Sequence, residues 1–371
     1  MATATLNDIR SAKMFLRSQL LQLGLGGHVV AKRATISVAS AVSSAGRNVH
    51  AVGVGKKVSK DKAGKEDCVR VYVVQKLPLS LLSPRDVIPP TIDGVPTDVI
   101  ESEPAFAFAR KKKITRKKST SKKRATRKKR AANVSSTTCS TNRKQRQRPV
   151  LGGISAGHRD ITAGTLGCWC RSTNPSDDAS QVFALSNNHV FANVDAALTG
   201  DPLYQPGPAD GGGLSDYFAK LHRAVPIKLG GVNGNLVDAA IGEILPSVSI
   251  DSSICQIGTI SDTLSATDEM KVRKHGRTTG YTEGHVDDTD YDALIGMDHG
   301  DPSIVALFEN QLRIVSDNSQ PFGLGGDSGS AVVHRTQKKV VGLYFAGPDS
   351  GMYGLANRIE NVLSELEISI P

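Results

Sequence analysis

No stretch of 18 consecutive apolar residues occurs in this 371-residue chain, so no segment is a candidate membrane-spanning helix. No secretory signal pattern is legible at its start. Aromatic residues are few, at 5% with a single tryptophan. Cysteine is sparse and odd in number: Cys68, Cys139, Cys168, Cys170 and Cys255. Such a set is no disulfide framework and fits a reducing, cytoplasmic or otherwise intracellular compartment. Cys168 and Cys170, in GCWC, fall on one face of a strand. With no second pair nearby they read as buried thiols rather than metal ligands. No cofactor motif and no metal spacing is present, so the expectation is none of either.

Acid is missing from one place in particular. Residues 110–130, RKKKITRKKSTSKKRATRKKR, hold 14 Lys or Arg and no Asp or Glu. The rest of the chain has 32 basic against 36 acidic residues, so the net charge of +10 belongs to this run. The remainder is mildly acidic, which argues against a protein that coats nucleic acid along its whole surface. The run itself reads as a solvated linker, a nuclear address, or a tether to nucleic acid or another polyanion, binding without sequence preference and sensitively to salt. No aromatics interleave it, so base stacking is not indicated.

What the chain has in quantity is glycine, 36 residues clustered between short apolar runs, a pattern of strands and turns. Four parts follow. Residues 1–46 are an N-terminal helix and connector. The helix carries Leu6, Ile9, Phe15, Leu16 and Leu20 with Arg10, Lys13 and Arg17 between them, and reads as a surface helix, with a mitochondrial presequence as the alternative. Residues 47–105 form a small α+β accessory unit, from the strand-like HAVGVGKKV and DCVRVYVVQKL. About 60 residues fold alone only marginally, so it is expected to dock on something larger. Residues 106–148 cannot bury enough apolar surface to offset ordering entropy and are expected to be a disordered linker. Residues 149–371 hold eight strand-like runs separated by turn signals, which suggests a β-barrel or paired barrels, and end in the helix-like ANRIENVLSELEI.

The last part carries the chemistry. Amide hydrolysis near neutrality needs a nucleophile, a base, an orienter for the base and donors for the oxyanion. Ser328 stands in GGDSGS, His189 in ALSNNHVFAN and Asp238 in NLVDAAIGEI, each at the end of an apolar run or in a glycine loop. The order His, Asp, Ser is one of the known triad orders.

These residues resemble those of the chymotrypsin-like serine peptidases, in particular the bacterial branch that includes α-lytic protease. GDSGS is similar to the GDSG nucleophile motif, and the His189 segment is similar to the histidine block, with Asn188 where an alanine is usual. KHGRTTGYTEGHV, residues 274–286, is similar to the SGRTTGYxCG segment. The resemblance spans about 220 residues and implies an all-β double β-barrel with a C-terminal helix. It implies a serine endopeptidase acting on protein or peptide substrates, with Ser328 as nucleophile, His189 as general base and Asp238 as its orienter. The N–H groups of Gly326 and Ser328 would form the oxyanion hole. Phe322 would lie at the base of the substrate pocket, favouring small or medium apolar side chains. Phe345, Ala346 and Gly347 would pair with the substrate backbone.

A departure from the family pattern and several other features carry expectations of their own. Extracellular relatives have cysteines where this chain has Arg273 and Glu283, which suggests an ion pair in place of a disulfide. In activated members a new N-terminal amine pairs with the aspartate before the serine, here Asp327. Cleavage near Arg148 would be the analogous event, although Pro149 follows a cut poorly and the α-lytic branch does not use that switch. GDPLYQPGPADGGG, residues 200–213, reads as a surface loop, with calcium binding or cleft shaping as alternatives. His158, His275, His285 and His334 read as surface or turn residues. The competing account of the whole chain is a polyanion-tethered protein in which 110–130 is the working element.

Overall fold

The structure, a computed structural model, describes residues 4–21, residues 48–107 apart from 60, 61, 83 and 85, residue 139, and residues 141–371 apart from 299–303. The basic run 110–130 and most of the expected linker lie outside the described residues.

Two large sheets dominate. The larger runs, strand by strand, Gly234–Asn235, Val305–Ser316, Tyr353–Arg358, Val340–Ala346, Ala331–His334, Lys271–Gly276, Gly280–Gly296, Val49–Ser59, Lys62–Val73, Val95–Glu101 and Thr91–Ile92. Val305–Ser316 also pairs with Gly280–Gly296, so six of these strands close into a barrel. The smaller sheet runs Ile368–Ser369, Cys168–Ser172, Val182–Ser186, Ala240–Ile244, Tyr217–Ala224, Pro202–Tyr204 and Gly157–His158. The all-β architecture is as expected, and so is the C-terminal helix, Ile359–Leu366.

Alternation of side chains explains how the two sheets share a core. On Cys168–Ser172, Trp169 faces the interior of the smaller sheet with Phe218 and Leu203. Cys168 and Cys170 face the other way, with Phe183 and Leu185 of the neighbouring strand. Ala331, Val333, Val340 and Leu343 of the barrel enter that same cluster, joined by Ile359, Val362 and Leu366 of the C-terminal helix. Val332 and Val341, one residue out of phase, point into the barrel beside Phe322 and Tyr344. The seam between the sheets is therefore a packed apolar layer, and it fixes their relative placement.

The predicted strands of 47–105 add to the larger sheet. Ala51 stands opposite Ala293 and Val52 opposite Asp292, on the far half of Gly280–Gly296. The helix Leu6–Leu20 opens with a capping box, in which Thr5 Oγ1 accepts from Asp8 N–H and the Asp8 carboxylate accepts from Thr5 N–H. It lays Ile9, Ala12 and Leu16 on Val49, Val52, Val69 and Val71. Its basic stripe meets acids of the sheet. Lys13 Nζ lies 2.7 Å from Asp290 and 2.8 Å from Asp292, and Arg17 lies 2.7 Å from Glu309. Lys13 is thus buried, although a surface helix would have left it in water.

Cysteine departs from expectation. Cys139 and Cys255, 116 residues apart, are joined by a disulfide. Tertiary folding brings them together, which sequence spacing does not show, and cysteine content no longer argues for a reducing compartment. Cys168 and Cys170 are buried free thiols on one face, and burial pushes the Cys168 thiol up to about 12.

The Lys13 pair generates a stability prediction. Its side chain is 5% exposed and that of Asp292 is 2%, so Lys13→Ala leaves buried carboxylates without their cation. Removing one partner of such a pair costs about 3–5 kcal/mol. Urea unfolding of the variant should show a loss of that order, whereas a loss below ~1 kcal/mol would mean that the helix is only loosely attached.

Candidate active site

The strand Val182–Ser186 runs into a short helix, Asn188–Phe191, that carries His189. Asp238 lies just before Ala240–Ile244. These two strands are paired, with Ser186 opposite Ala240, so the ladder itself brings the histidine and the aspartate together. His189 Nδ1 lies 2.5 Å from Asp238 Oδ2, and His189 N–H donates to Asp238 Oδ1 at 3.1 Å. Both side chains are buried. A carboxylate at Nδ1 selects the tautomer with the proton on that nitrogen, leaving Nε2 as the basic one. Asp238 is itself held: its N–H donates to Asn357 Oδ1 at 3.0 Å and its carbonyl accepts from Asn187 Nδ2 at 2.6 Å. Asn357 in turn donates to Gln311 at 2.7 Å.

Ser328 comes from the barrel. It stands in the turn that leads into Ala331–His334, and its carbonyl accepts from Thr165 N–H at 2.8 Å. The Thr165 carbonyl accepts from Ser186 Oγ at 2.7 Å. Thr165 therefore ties the serine turn to the strand that leads to His189. Gly329 has φ +94°, and a Cβ there would come within 2.2 Å of Ser186 Oγ, so only glycine fits.

Two amides of the serine turn have directions fixed by their neighbours. Among the described residues, the N–H groups of Gly326 and Ser328 meet no acceptor. Their directions follow from planar trans peptides, in which N–H and C=O point oppositely. The Gly325 carbonyl accepts from Thr278 Oγ1 at 2.7 Å, which turns the Gly326 N–H the other way. The Asp327 carbonyl accepts from Ser330 N–H at 3.0 Å and from Ser330 Oγ at 2.5 Å, which does the same for the Ser328 N–H.

Asp327 anchors this turn from below. It is fully buried and lies 3.3 Å from Lys274 Nζ, equally buried. Its oxygens accept from Thr278 N–H (2.7 Å), Thr279 N–H (3.1 Å), Thr279 Oγ1 (2.8 Å) and Leu324 N–H (2.9 Å). Burial alone would raise its pKa, but Lys274 and these donors hold it below the usual carboxylate value. Burial lowers the pKa of Lys274, against the attraction of Asp327. Asp327 already has its cation, so a new amine near Arg148 is not required for that role. Val150–Gly152 is instead a strand, paired in parallel with Ile250–Ile254.

The expected pocket residues are placed differently from one another. Phe322 is fully buried in the barrel core, with Lys274 Nζ 5.6 Å from its ring centroid. Phe345 and Ala346 are buried in an apolar cluster with Tyr353 and Leu355, and Gly347 is hydrogen-bonded to Phe106. Ser328 Oγ lies 3.2 Å from the Phe345 carbonyl and 3.2 Å from the Ala107 carbonyl. A cavity of about 370 Å³ lies elsewhere, between Leu20, Val49, Val73, Leu79 and Val99.

Several expectations are corrected. Arg273 and Glu283 face each other across the ladder, but Glu283 pairs with Arg335 at 2.7 Å and accepts from Tyr281 Oη at 2.6 Å. Strand register set their proximity, while the nearer Arg335 took the charge. In 200–213, the Asp210 carboxylate is held bidentately by Arg277, at 2.6 and 2.8 Å, so the loop is tied to the GRTTG segment. His158 and His275 are buried rather than on the surface, and burial pushes His275 down to about 4. Sequence reasoning did not assign roles to Lys274, Thr278, Thr165, Asn187 or Asn357. The first two lie inside the motif it had singled out, which was the available signal.

No family model matches the chain, and no curated protein matches it. Among solved structures it is similar to Thermobifida fusca protease A, at 16% identity over 59% of this chain and 97% of that one, with a TM-score of 0.41. It is similar to the Nocardiopsis protease at 14% identity over 59% of this chain and 97% of that one, with a TM-score of 0.40. A glutamic acid-specific serine protease, described as using a histidine triad in substrate binding, is 16% identical over 60% of this chain and all of its own, with a TM-score of 0.42. The reading of the site rests on the geometry above.

Thr278 generates a prediction. Thr278→Val removes the hydroxyl that aims the Gly326 N–H, and Thr278→Ser keeps it. Loss of one oxyanion donor costs about 10²–10³ in rate, so acylation of Ser328 by an organophosphonate should slow by tenfold or more in the valine variant and recover in the serine variant. Equal rates in all three chains would remove Thr278 from this role.

Proposed function

We propose that this chain is a serine endopeptidase. Ser328 Oγ attacks the substrate carbonyl as His189 Nε2 takes its proton. Asp238 keeps the imidazole in the Nδ1–H tautomer and stabilises the imidazolium. The N–H groups of Gly326 and Ser328 receive the oxyanion. His189 then protonates the leaving amine, and water hydrolyses the acyl-enzyme by the reverse proton route. The observation that carries this reading is the buried His189–Asp238 contact of 2.5 Å, supported by a serine turn that Thr165 ties to the strand leading to His189 and whose two amide donors have no acceptor among the described residues.

The substrate would lie extended past the end of Val340–Ala346, at Gly347, with main-chain hydrogen bonds supplying affinity. The wall formed by Phe345 and Ala346 is apolar, and no acid stands at Phe322. This favours small or medium apolar side chains over lysine or arginine.

Fluorophosphonate labelling tests the reading. The full chain should label at Ser328, and Ser328→Ala should not. Because Phe106 occupies Gly347, labelling should be faster in Phe106→Pro, which removes the N–H donated to Gly347. If neither the wild type nor Phe106→Pro labels above Ser328→Ala, the chain is not a serine hydrolase.

A further inference from the structure

Asp238 lies between Gly234–Asn235 and Ala240–Ile244, outside either strand. Among the described residues, its carboxylate accepts from the N–H and Nδ1 of His189 and from no other donor. The direction of that carboxylate therefore depends on how the main chain at 236–238 is held. On one side the Asp238 carbonyl accepts from Asn187. On the other, two amide side chains of the barrel grip the segment at two points. Asn357 Oδ1 accepts from Asp238 N–H at 3.0 Å, and Asn357 Nδ2 donates to Gln311 Oε1 at 2.7 Å. Gln311 Nε2 donates to the Leu236 carbonyl at 2.9 Å and also to the Glu309 carbonyl. Asp238, Asn357 and Gln311 are all fully buried.

Main-chain groups at both ends leave this relay one arrangement. An N–H can only donate, so Asn357 must turn its oxygen towards Asp238. Its nitrogen then faces Gln311, which must answer with oxygen. A carbonyl can only accept, so the Gln311 nitrogen must face Leu236. Flipping either amide would oppose like groups and leave buried polar atoms unmet, which is costly. The strand Val305–Ser316 delivers Gln311 to this place through a bulge. Tyr291 stands opposite Gln311, whereas Ala293 stands opposite Phe308. Between them Asn310 has φ +58°, a conformation that asparagine tolerates better than most residues. In a regular strand, residues an odd number apart face opposite sides, yet Phe308 and Val315 join one cluster. The bulge has reversed the alternation. Leu312 and Ile314 now face the barrel core, and Gln311 faces the other way, towards Leu236.

We propose that Gln311 and Asn357 are a pair of positioning residues, which hold residues 236–238 so that the Asp238 carboxylate meets both donors of His189. The proposal rests on the serine endopeptidase reading. Neither amide touches substrate; both act through Asp238 on the base.

The test uses the full chain and two variants, Asn357→Leu and the milder Gln311→Met, which leaves Asn357 bonded to Asp238. Both the rate and the final stoichiometry of fluorophosphonate labelling are measured. A misplacement of 1 Å can cost a hundredfold, so each variant should label about ten- to a hundredfold more slowly while reaching the wild-type stoichiometry. A reduced labelled fraction at the wild-type rate would mean partial unfolding and would overturn positioning. The double variant should lose less than the product of the two single losses, because the amides act as a unit; a full product would overturn the relay. Ile9→Ala, which removes packing beneath the N-terminal helix, should label at the wild-type rate. Equal slowing there would assign the effect to general loosening instead. Proton NMR reads the contact without activity. The downfield resonance of the His189 Nδ1 proton should persist in Ile9→Ala and be shifted or lost in Gln311→Met, and an unchanged resonance in Gln311→Met would overturn the proposal. If wild type and both variants label equally fast, and faster than Ser328→Ala, positioning alone fails. If the wild type labels no faster than Ser328→Ala, the peptidase reading fails and this proposal with it.

Discussion

Lys274 and Asp327 form a buried ion pair on which the rest of the site depends. Two charges removed from water are tolerable only when they face each other and their remaining valences are met. Here Asp327 collects four further donors, and Lys274 also reaches Thr279 Oγ1 at 2.9 Å. The groups that satisfy Asp327 belong to the GRTTG segment and to the serine turn itself, so neutralising the charge also fixes the loop. Gly276 is part of the same arrangement, since a Cβ there would come within 2.4 Å of an Asp327 oxygen. The peptide planes of residues 325–328 then have little choice of direction.

The second constraint is the seam. Ser328 belongs to the closed barrel, and His189 and Asp238 to the smaller sheet, so their approach depends on how the sheets pack. Cys168, Leu185, Val333 and Leu343 meet in one apolar cluster, and Thr165 bridges the two sides by hydrogen bonds. The N-terminal strands lie on the other side of the larger sheet from that seam's strands, paired with Gly280–Gly296. By extending the larger sheet they lead to residues 103–107, where Phe106 pairs with Gly347.

Much of this was legible in the sequence. Alternating apolar runs between glycine-rich turns gave the all-β class, and the period-two rule placed Cys168 and Cys170 together. His189, Asp238 and Ser328 were singled out because the proposed chemistry requires particular residue types, and the first two lie in contact. Other features depend on contacts between distant segments, which spacing cannot encode. The Cys139–Cys255 bond, the choice of Arg335 over Arg273 by Glu283, and the burial of Lys13 against Asp290 and Asp292 are all of this kind. Lys274 was hidden for a different reason: a lysine in a polar, turn-rich motif looks solvated until the fold encloses it. The pairing of Phe106 with Gly347 was missed because Phe106 adjoins a basic run whose composition suggested no structure.

The measurement that bears most directly on this account is the acylation rate of Lys274→Met by a fluorophosphonate, followed alongside its near-ultraviolet circular dichroism. With Asp327 buried and uncompensated, the turn should lose its alignment. Acylation should then fall by tenfold or more, and stability by about 3–5 kcal/mol. A folded Lys274→Met chain that acylates at the wild-type rate would contradict the claim that this pair holds the serine turn in place.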